Sequence, residues 1–394
     1  MRFQHKSIVF LSLLTAIILC TCSLAVNAAW AATSRQETQK QEQTSSAPSP
    51  TTTMPAAQSA APKLDKPAQV LPPGIDSKTG QPLYKQVQED WSSLSVGVSK
   101  LEPKPPVVAQ TEEQGTFVRT LVQVQWRPGD PLDLWIILPK KVQKPPVVLY
   151  LYGYKEDTDR FRNNGWCERV TAGGVAAVGF VSALTGPRFQ SRPMEQWFVS
   201  ELQESLGSTV HDVHFILDYL AQRGDVDMNR VGMFGEGSGG TIAILSAAAD
   251  SRIKAVDALD PWGDWPVWLA KSPVVEEDIH HTNFATPEFL KKVQPLDPVK
   301  WLPTLASARI RIQQVKDNDN TPLACQEALR NAAPKQAEVD EFDHVNQLAA
   351  AEKGGRLFDW IKDELRRLPP PAQSVAAEAQ PQSSQPPHQS AREH

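Results

Sequence analysis

The chain has 394 residues, 41% hydrophobic and 22% charged, a globular composition that excludes a wholly disordered, collagenous or multi-span membrane protein. Against 45 Asp and Glu stand 40 Lys and Arg, a formal charge of −5, which offers no basic footprint to phosphates and excludes nucleic acid as an expected partner. The four cysteines, Cys20, Cys22, Cys167 and Cys325, are too few for a disulfide scaffold and lack the paired spacing of a zinc site, so neither a metal nor a cofactor is expected.

In chain order, Arg2 and Lys6 precede an apolar run over 8–26, and Ala29-Trp30-Ala31 places small residues where a signal peptidase reads. Residues 1–31 therefore read as an export signal, and the protein as periplasmic or secreted. An uncleaved anchor, or a lipid on Cys22, is the only route by which a membrane enters this reading. Residues 32–64 and 369–394 are rich in Gln, Ser, Pro and Ala, with little to bury, and read as a disordered linker and tail. Residues 65–368 are left for one structured domain, opening with a proline-punctuated N-terminal wrap over 65–115 that includes a short helix around 83–94. Cys167 and Cys325 are expected to be free, buried thiols.

Within the domain, short runs rich in Val, Ile and Leu alternate with stretches of helical period, the pattern of an α/β fold with a mostly parallel sheet and helices on both faces. Strands are expected at 116–126, 132–138, 146–152, 175–181, 230–235, 254–259, 310–315 and 338–342. The first two form an antiparallel pair through the turn Arg127-Pro128-Gly129-Asp130-Pro131. Helices are expected at 194–204, 208–223, 240–249, 321–331 and 346–367, with Ser208 as an N-cap and Gly224 as a C-cap.

The run Gly235-Glu236-Gly237-Ser238-Gly239-Gly240 joins a strand to a helix. A sharp bend there needs small residues two before and two or three after its centre. Gly235, Gly239 and Gly240 meet that need if the centre is Gly237, a residue with no nucleophile. Centring the bend on Ser238 recovers a hydroxyl, but sets the side chain of Glu236 in the crowded place. The Gly237 register is preferred. A phosphate cradle is the weaker reading, since no GxxxxGK[ST] lysine follows and the turn comes after several strands.

With this bend in place, the order of parts over residues 115–366 resembles the α/β-hydrolase superfamily, in particular its exported esterase and prolyl-peptidase-like branches. Tyr152-Gly153 stands where that family has His-Gly. The resemblance implies that the backbone N–H groups of Tyr154 and Ser238 are oxyanion donors. It implies a carboxylate in the loop after the strand 310–315, where Asp319 is chosen over Asp317, and Asp260 is the alternative at the end of the preceding strand. It places the base at His344, after the last strand.

Trp262, Trp265 and Trp268, in the run 261–268 after the strand 254–259, read either as the wall of a substrate pocket or as a plug that seals it. Glu236 beside the bend reads as a pocket carboxylate or a solvated one. Arg188 and Arg192 read as receivers of an anionic ligand or as members of surface ion pairs, and the acidic and His run 276–281 as a polar loop. The expectation is an exported protein of carboxylic ester or peptide hydrolase ancestry, impaired or non-catalytic because Gly237 occupies the nucleophile position, with a small ester or peptide as ligand. The alternative is an active serine hydrolase, an esterase or peptidase, using Ser238, His344 and Asp319.

Overall fold

The computed structural model describes residues 88–154, 159–185, 188, 199–276, 282 and 284–369. The export signal, the linker, residues 65–87 of the wrap and the tail beyond Pro369 lie outside the described residues. The strands are β1 (Val107–Glu113), β2 (Phe117–Arg127), β3 (Asp130–Pro139), β4 (Val147–Leu151), β5 (Ala176–Phe180), β6 (Val231–Glu236), β7 (Ile253–Leu259), β8 (Arg309–Val315) and β9 (Glu338–Phe342). The helices are α1 (Asp159–Arg162), α2 (Asn164–Thr171), α3 (Leu202–Arg223), α4 (Ser238–Ala249), α5 (Trp265–Lys271), α6 (Pro273–Glu276), α7 (Pro287–Val293), α8 (Pro298–Trp301), α9 (Leu323–Ala332), α10 (Val345–Lys353) and α11 (Asp359–Arg367).

Among the described residues nine strands join one sheet in the order β1-β2-β3-β5-β4-β6-β7-β8-β9. Pairing is antiparallel from β1 to β5 through β2 and β3, and parallel from β5 across to β9. The central strands are buried on both faces, which is why they read as continuous apolar runs. On β4, Val147, Leu149 and Leu151 pack with α3, α4 and α5, while Val148 and Tyr150 pack with α2 and α11 on the opposite face. Cys167 and Cys325 are free and buried, and belong to opposite faces of the sheet.

The eight expected strands all form, and β1 is an addition. Six of its seven residues are exposed, so the strand has no inward-facing alternation to reveal it. The helix expected over 194–204 lies partly outside the described residues, and its described part is a turn over 199–201 followed by the start of α3. Three other helix expectations change. Helix α3 runs unbroken through Ser208, whose hydroxyl bonds back to the carbonyl of Glu204 instead of capping a new helix. Gly224 does end it, at φ 69°. The helix expected over 346–367 is split into α10 and α11 at Gly354 and Gly355, the latter at φ 76°. Residues 88–94 contain no helix, although Leu94 joins the core. No helix among the described residues is long and apolar enough to cross a membrane.

Candidate functional site

The parallel strands β4, β6, β7, β8 and β9 all point their carboxyl ends to one edge, where open α/β sheets place ligands. At that edge β6 turns into α4 through Gly237, at φ 54° and ψ −119°. Residues with a side chain rarely adopt this backbone and are strained in it. The flanking glycines are needed for contact: a Cβ at Gly235 would lie 2.1 Å from the carbonyl oxygen of Gly239, and one at Gly239 would lie 2.2 Å from that of Leu151. The bend is therefore centred on Gly237, and Ser238 is the first residue of α4. The Gly237 N–H donates to Leu259 O at 2.9 Å, tying the bend to β7.

Ser238 is wholly buried. Its Oγ accepts the backbone N–H of Tyr154 at 2.9 Å, which is its sole hydrogen bond among the described residues. The two groups expected as oxyanion donors are thus close together, but the Tyr154 amide already has an acceptor in the Ser238 side chain.

His344, between β9 and α10, meets the carboxylate of Asp317 through Nδ1, 2.9 Å from Oδ2. The other oxygen of Asp317 accepts Val345 N–H at 3.1 Å. Among the described residues Nε2 of His344 has no partner, so the imidazole is held in the manner of a base oriented by an acid. The pair is open to water, with the His344 and Asp317 side chains 63% and 47% exposed.

Asp319 is not the acid that faces His344. It is exposed and makes no hydrogen bond or ion pair among the described residues. The reason lies one residue earlier, because Asn318 turns inward and donates to Asp260 Oδ2 at 2.8 Å. Two tight turns, Asn318 N–H to Val315 O and Thr321 N–H to Asn318 O, both at 3.2 Å, then leave Asp317 on the side of β9.

Asp260, the alternative acid, holds this loop and does not meet His344. Its Oδ1 accepts Val315 N–H at 2.7 Å, and its backbone sits at φ 42°. Burial raises its carboxyl to about 6 against those two donors, and the charge of Asp317 pushes the same way.

The tryptophans form a packed block over the bend. The Trp262 ring stacks on Trp268 at 4.8 Å and 27°, and Trp265 meets Trp268 edge-on at 5.6 Å. A Cβ on Gly237 would lie 3.4 Å from Trp262 Nε1, so this indole roofs the position. All three rings are buried, and of the two readings the plug describes them better than an open wall. Trp268 Nε1 donates to Asn320 O at 2.9 Å and Thr241 Oγ1 donates to Trp262 O at 2.6 Å, which joins the block to the acid loop and to α4. Trp268 belongs to the tryptophan run that the sequence marks as wall or plug, and Asn318 stands four residues before Pro322, where the resemblance would put the acid; Thr241 carries no sequence signal for its bond to Trp262 O.

Glu236 is half-buried at the end of β6. Tyr152, where the family has histidine, is pushed above the ordinary tyrosine range, by burial first and also by the charge of Glu236; Arg160 and the Trp166 hydrogen bond oppose the shift. Trp166 Nε1 donates to Tyr152 Oη at 3.0 Å, and the Arg160 guanidinium lies 3.5 Å from the Tyr152 ring centre.

Arg188 is not available to an anionic ligand. It is buried between Asp130 and Asp212, donating to the latter at 2.7 Å. Arg192 and most of the run 276–281 lie outside the described residues.

No family model and no curated protein matches the sequence. Among solved structures, an acetyl xylan esterase from Paenibacillus sp. R4 superposes with a TM-score of 0.50 at 18% identity, over 65% of this chain and 88% of that one. The chain has the α/β-hydrolase fold. Also similar are acetyl xylan esterase 1 from Thermoanaerobacterium sp. JW/SL YS485 (TM-score 0.48, 15% identity, 68% of this chain and 88% of that one) and an acylaminoacyl peptidase from Pyrococcus horikoshii (0.47, 14%, 64% and 40%). In an α/β-hydrolase the strand-to-helix bend carries the nucleophile, and the following N–H acts with one from the loop after a neighbouring strand. At those places this chain has Gly237, Ser238 and Tyr154.

Proposed function

We propose that this is an exported α/β-hydrolase-fold protein, descended from carboxylic ester or peptide hydrolases, that binds a small ligand at the carboxyl edge of its sheet and no longer turns it over. The observation carrying this reading is the backbone of Gly237, which keeps the bend of a nucleophile position without an alcohol. Losing the nucleophile typically leaves only about 10³ to 10⁴ of rate enhancement over water, from oxyanion contacts and binding.

The rival is an active serine hydrolase using Ser238. The His344–Asp317 pair favours it, because an imidazole with Nδ1 on a carboxylate and Nε2 unengaged suits a general base. Against it, Ser238 is wholly buried in the first turn of α4 and engaged by Tyr154 N–H.

A fluorophosphonate probe separates the two. The proposal expects no covalent capture by the folded full-length protein and no hydrolysis of p-nitrophenyl esters above background. Capture that Ser238→Ala abolishes would establish the active enzyme instead. Export is checked by fractionating the native host and sequencing the amino terminus of the mature protein, with a start near residue 32 expected.

A further inference from the structure

Tyr154 opens the loop after β4, the strand hydrogen-bonded beside β6, so its N–H and the start of α4 face each other across the bend. That N–H does not point into an empty cleft; it ends 2.9 Å away on Ser238 Oγ. The hydroxyl is shut off from solvent, and α4 starts so close to the end of β4 that a Cβ on Gly239 would lie 2.2 Å from Leu151 O. An amide hydrogen committed to one buried acceptor becomes available to another only by breaking the first bond.

We infer that Ser238 is a second block, independent of the missing alcohol at Gly237: its side chain fills, from within, the place where a ligand carbonyl oxygen would take the Tyr154 amide. The inference rests on the proposed function in treating Gly237 as the former nucleophile position. It adds a ligand class. Acyl esters and amides, which must seat a carbonyl oxygen between the Tyr154 and Ser238 amides, are disfavoured. Ligands that engage the exposed His344 edge without a carbonyl at the bend are favoured. Restoring the alcohol alone leaves this block in place.

Two measurements on the full-length protein test the inference. The first is amide hydrogen exchange at Tyr154, followed by NMR in the unsubstituted chain and in Ser238→Ala. Exchange at least about tenfold faster in the variant, with the amides of β4 unchanged, is expected once the acceptor is removed. Equal exchange in the two proteins overturns the block.

The second compares Gly237→Ser with Gly237→Ser/Ser238→Ala on p-nitrophenyl acetate. Losing one oxyanion donor lowers kcat by about 10² to 10³, so the double variant should exceed the single one by about 100-fold in kcat with little change in KM. Equal kcat values, whether both variants turn over or both are silent, overturn the block. Fluorophosphonate capture by the unsubstituted chain fails the parent reading in an assay that involves neither engineered alcohol, so the two failures are told apart.

Discussion

Two imidazole–carboxylate pairs in this molecule share the same contact and have opposite surroundings. In the first, His211 Nδ1 lies 2.7 Å from Glu89 Oε1, with side chains 0% and 3% exposed. In the second, His344 Nδ1 lies 2.9 Å from Asp317 Oδ2, with side chains 63% and 47% exposed. Every polar atom of the first pair is engaged: His211 Nε2 faces Ser93 O at 2.9 Å, and both Glu89 oxygens take Arg127 at 2.6 Å. Arg127 continues the network to Asp212, which also accepts Trp126 Nε1 and Arg188. A closed network of this kind can hold residues 89–93 against α3, but has no atom left for a ligand. The second pair keeps one ring nitrogen without a partner among the described residues, at the carboxyl edge of the sheet. The contact between an imidazole and a carboxylate says little about its role; the engagement of the remaining atoms says more.

The largest effect should come from the closed network. Asp212→Ala removes the shared acceptor of Trp126, Arg127 and Arg188 and leaves two buried guanidiniums short of a counter-charge, a loss of about 3 to 5 kcal/mol in urea unfolding at pH 7. A loss below about 1 kcal/mol would put this network on the same footing as the surface pair.

Glu89→Gln comes next. Burial alone would raise the Glu89 carboxyl, but hydrogen bonds from Arg127 and His211, with their charges, hold it down at about 2, from 4.5. A depressed carboxyl stabilises the fold above its unfolded pKa, and that contribution is lost as pH falls through the folded value. The variant should be about 3 to 4 kcal/mol less stable at pH 7, with the gap to the unsubstituted protein closing between pH 4.5 and about 2. A gap independent of pH would rule out the ionic origin.

Asp260 runs the other way. Its carboxyl is raised from 3.8 to about 6 by burial, so the stability it contributes is present when it is protonated and is lost as pH rises through about 6. Asp260→Asn, an isostere of the protonated acid, should gain on the unsubstituted chain by about 3 kcal/mol between pH 4 and pH 7, followed by denaturant midpoints across that range. A flat difference would mean that the two donors on Asp260 outweigh its burial.

The smallest effect belongs to the open pair. His344→Ala and Asp317→Asn should each change unfolding free energy by no more than about 0.5 kcal/mol. A loss of several times that would move this pair from the site to the scaffold.

Much of the fold was legible because the central strands are buried on both faces, and Val147 to Leu151 could hardly be read otherwise. The bend was legible from glycine spacing, since Gly235, Gly239 and Gly240 are dictated by backbone contacts that no side chain satisfies. What could not be read depended on long-range polar choices. Nothing local says that Asn318 turns in to Asp260, yet that bond puts Asp317, and not Asp319, against His344. Nor does the sequence near Ser238 reveal that its hydroxyl meets an amide from the loop after β4. Arg188 was ambiguous for the same reason, because its partners Asp130 and Asp212 lie far from it along the chain. Ser208 was misread where a hydroxyl could bond back to its own helix as readily as cap a new one.

The stacked indoles above Gly237 give the molecule a property that needs no chemistry. Rings 4.8 Å apart share their electronic excitation, so Trp262 and Trp268 form a coupled chromophore lying on the bend itself. A movement of Trp262 away from the glycine is expected to change the circular dichroism and fluorescence of the pair, which gives the bend an optical readout in a cuvette without a dye, a label or a turnover assay.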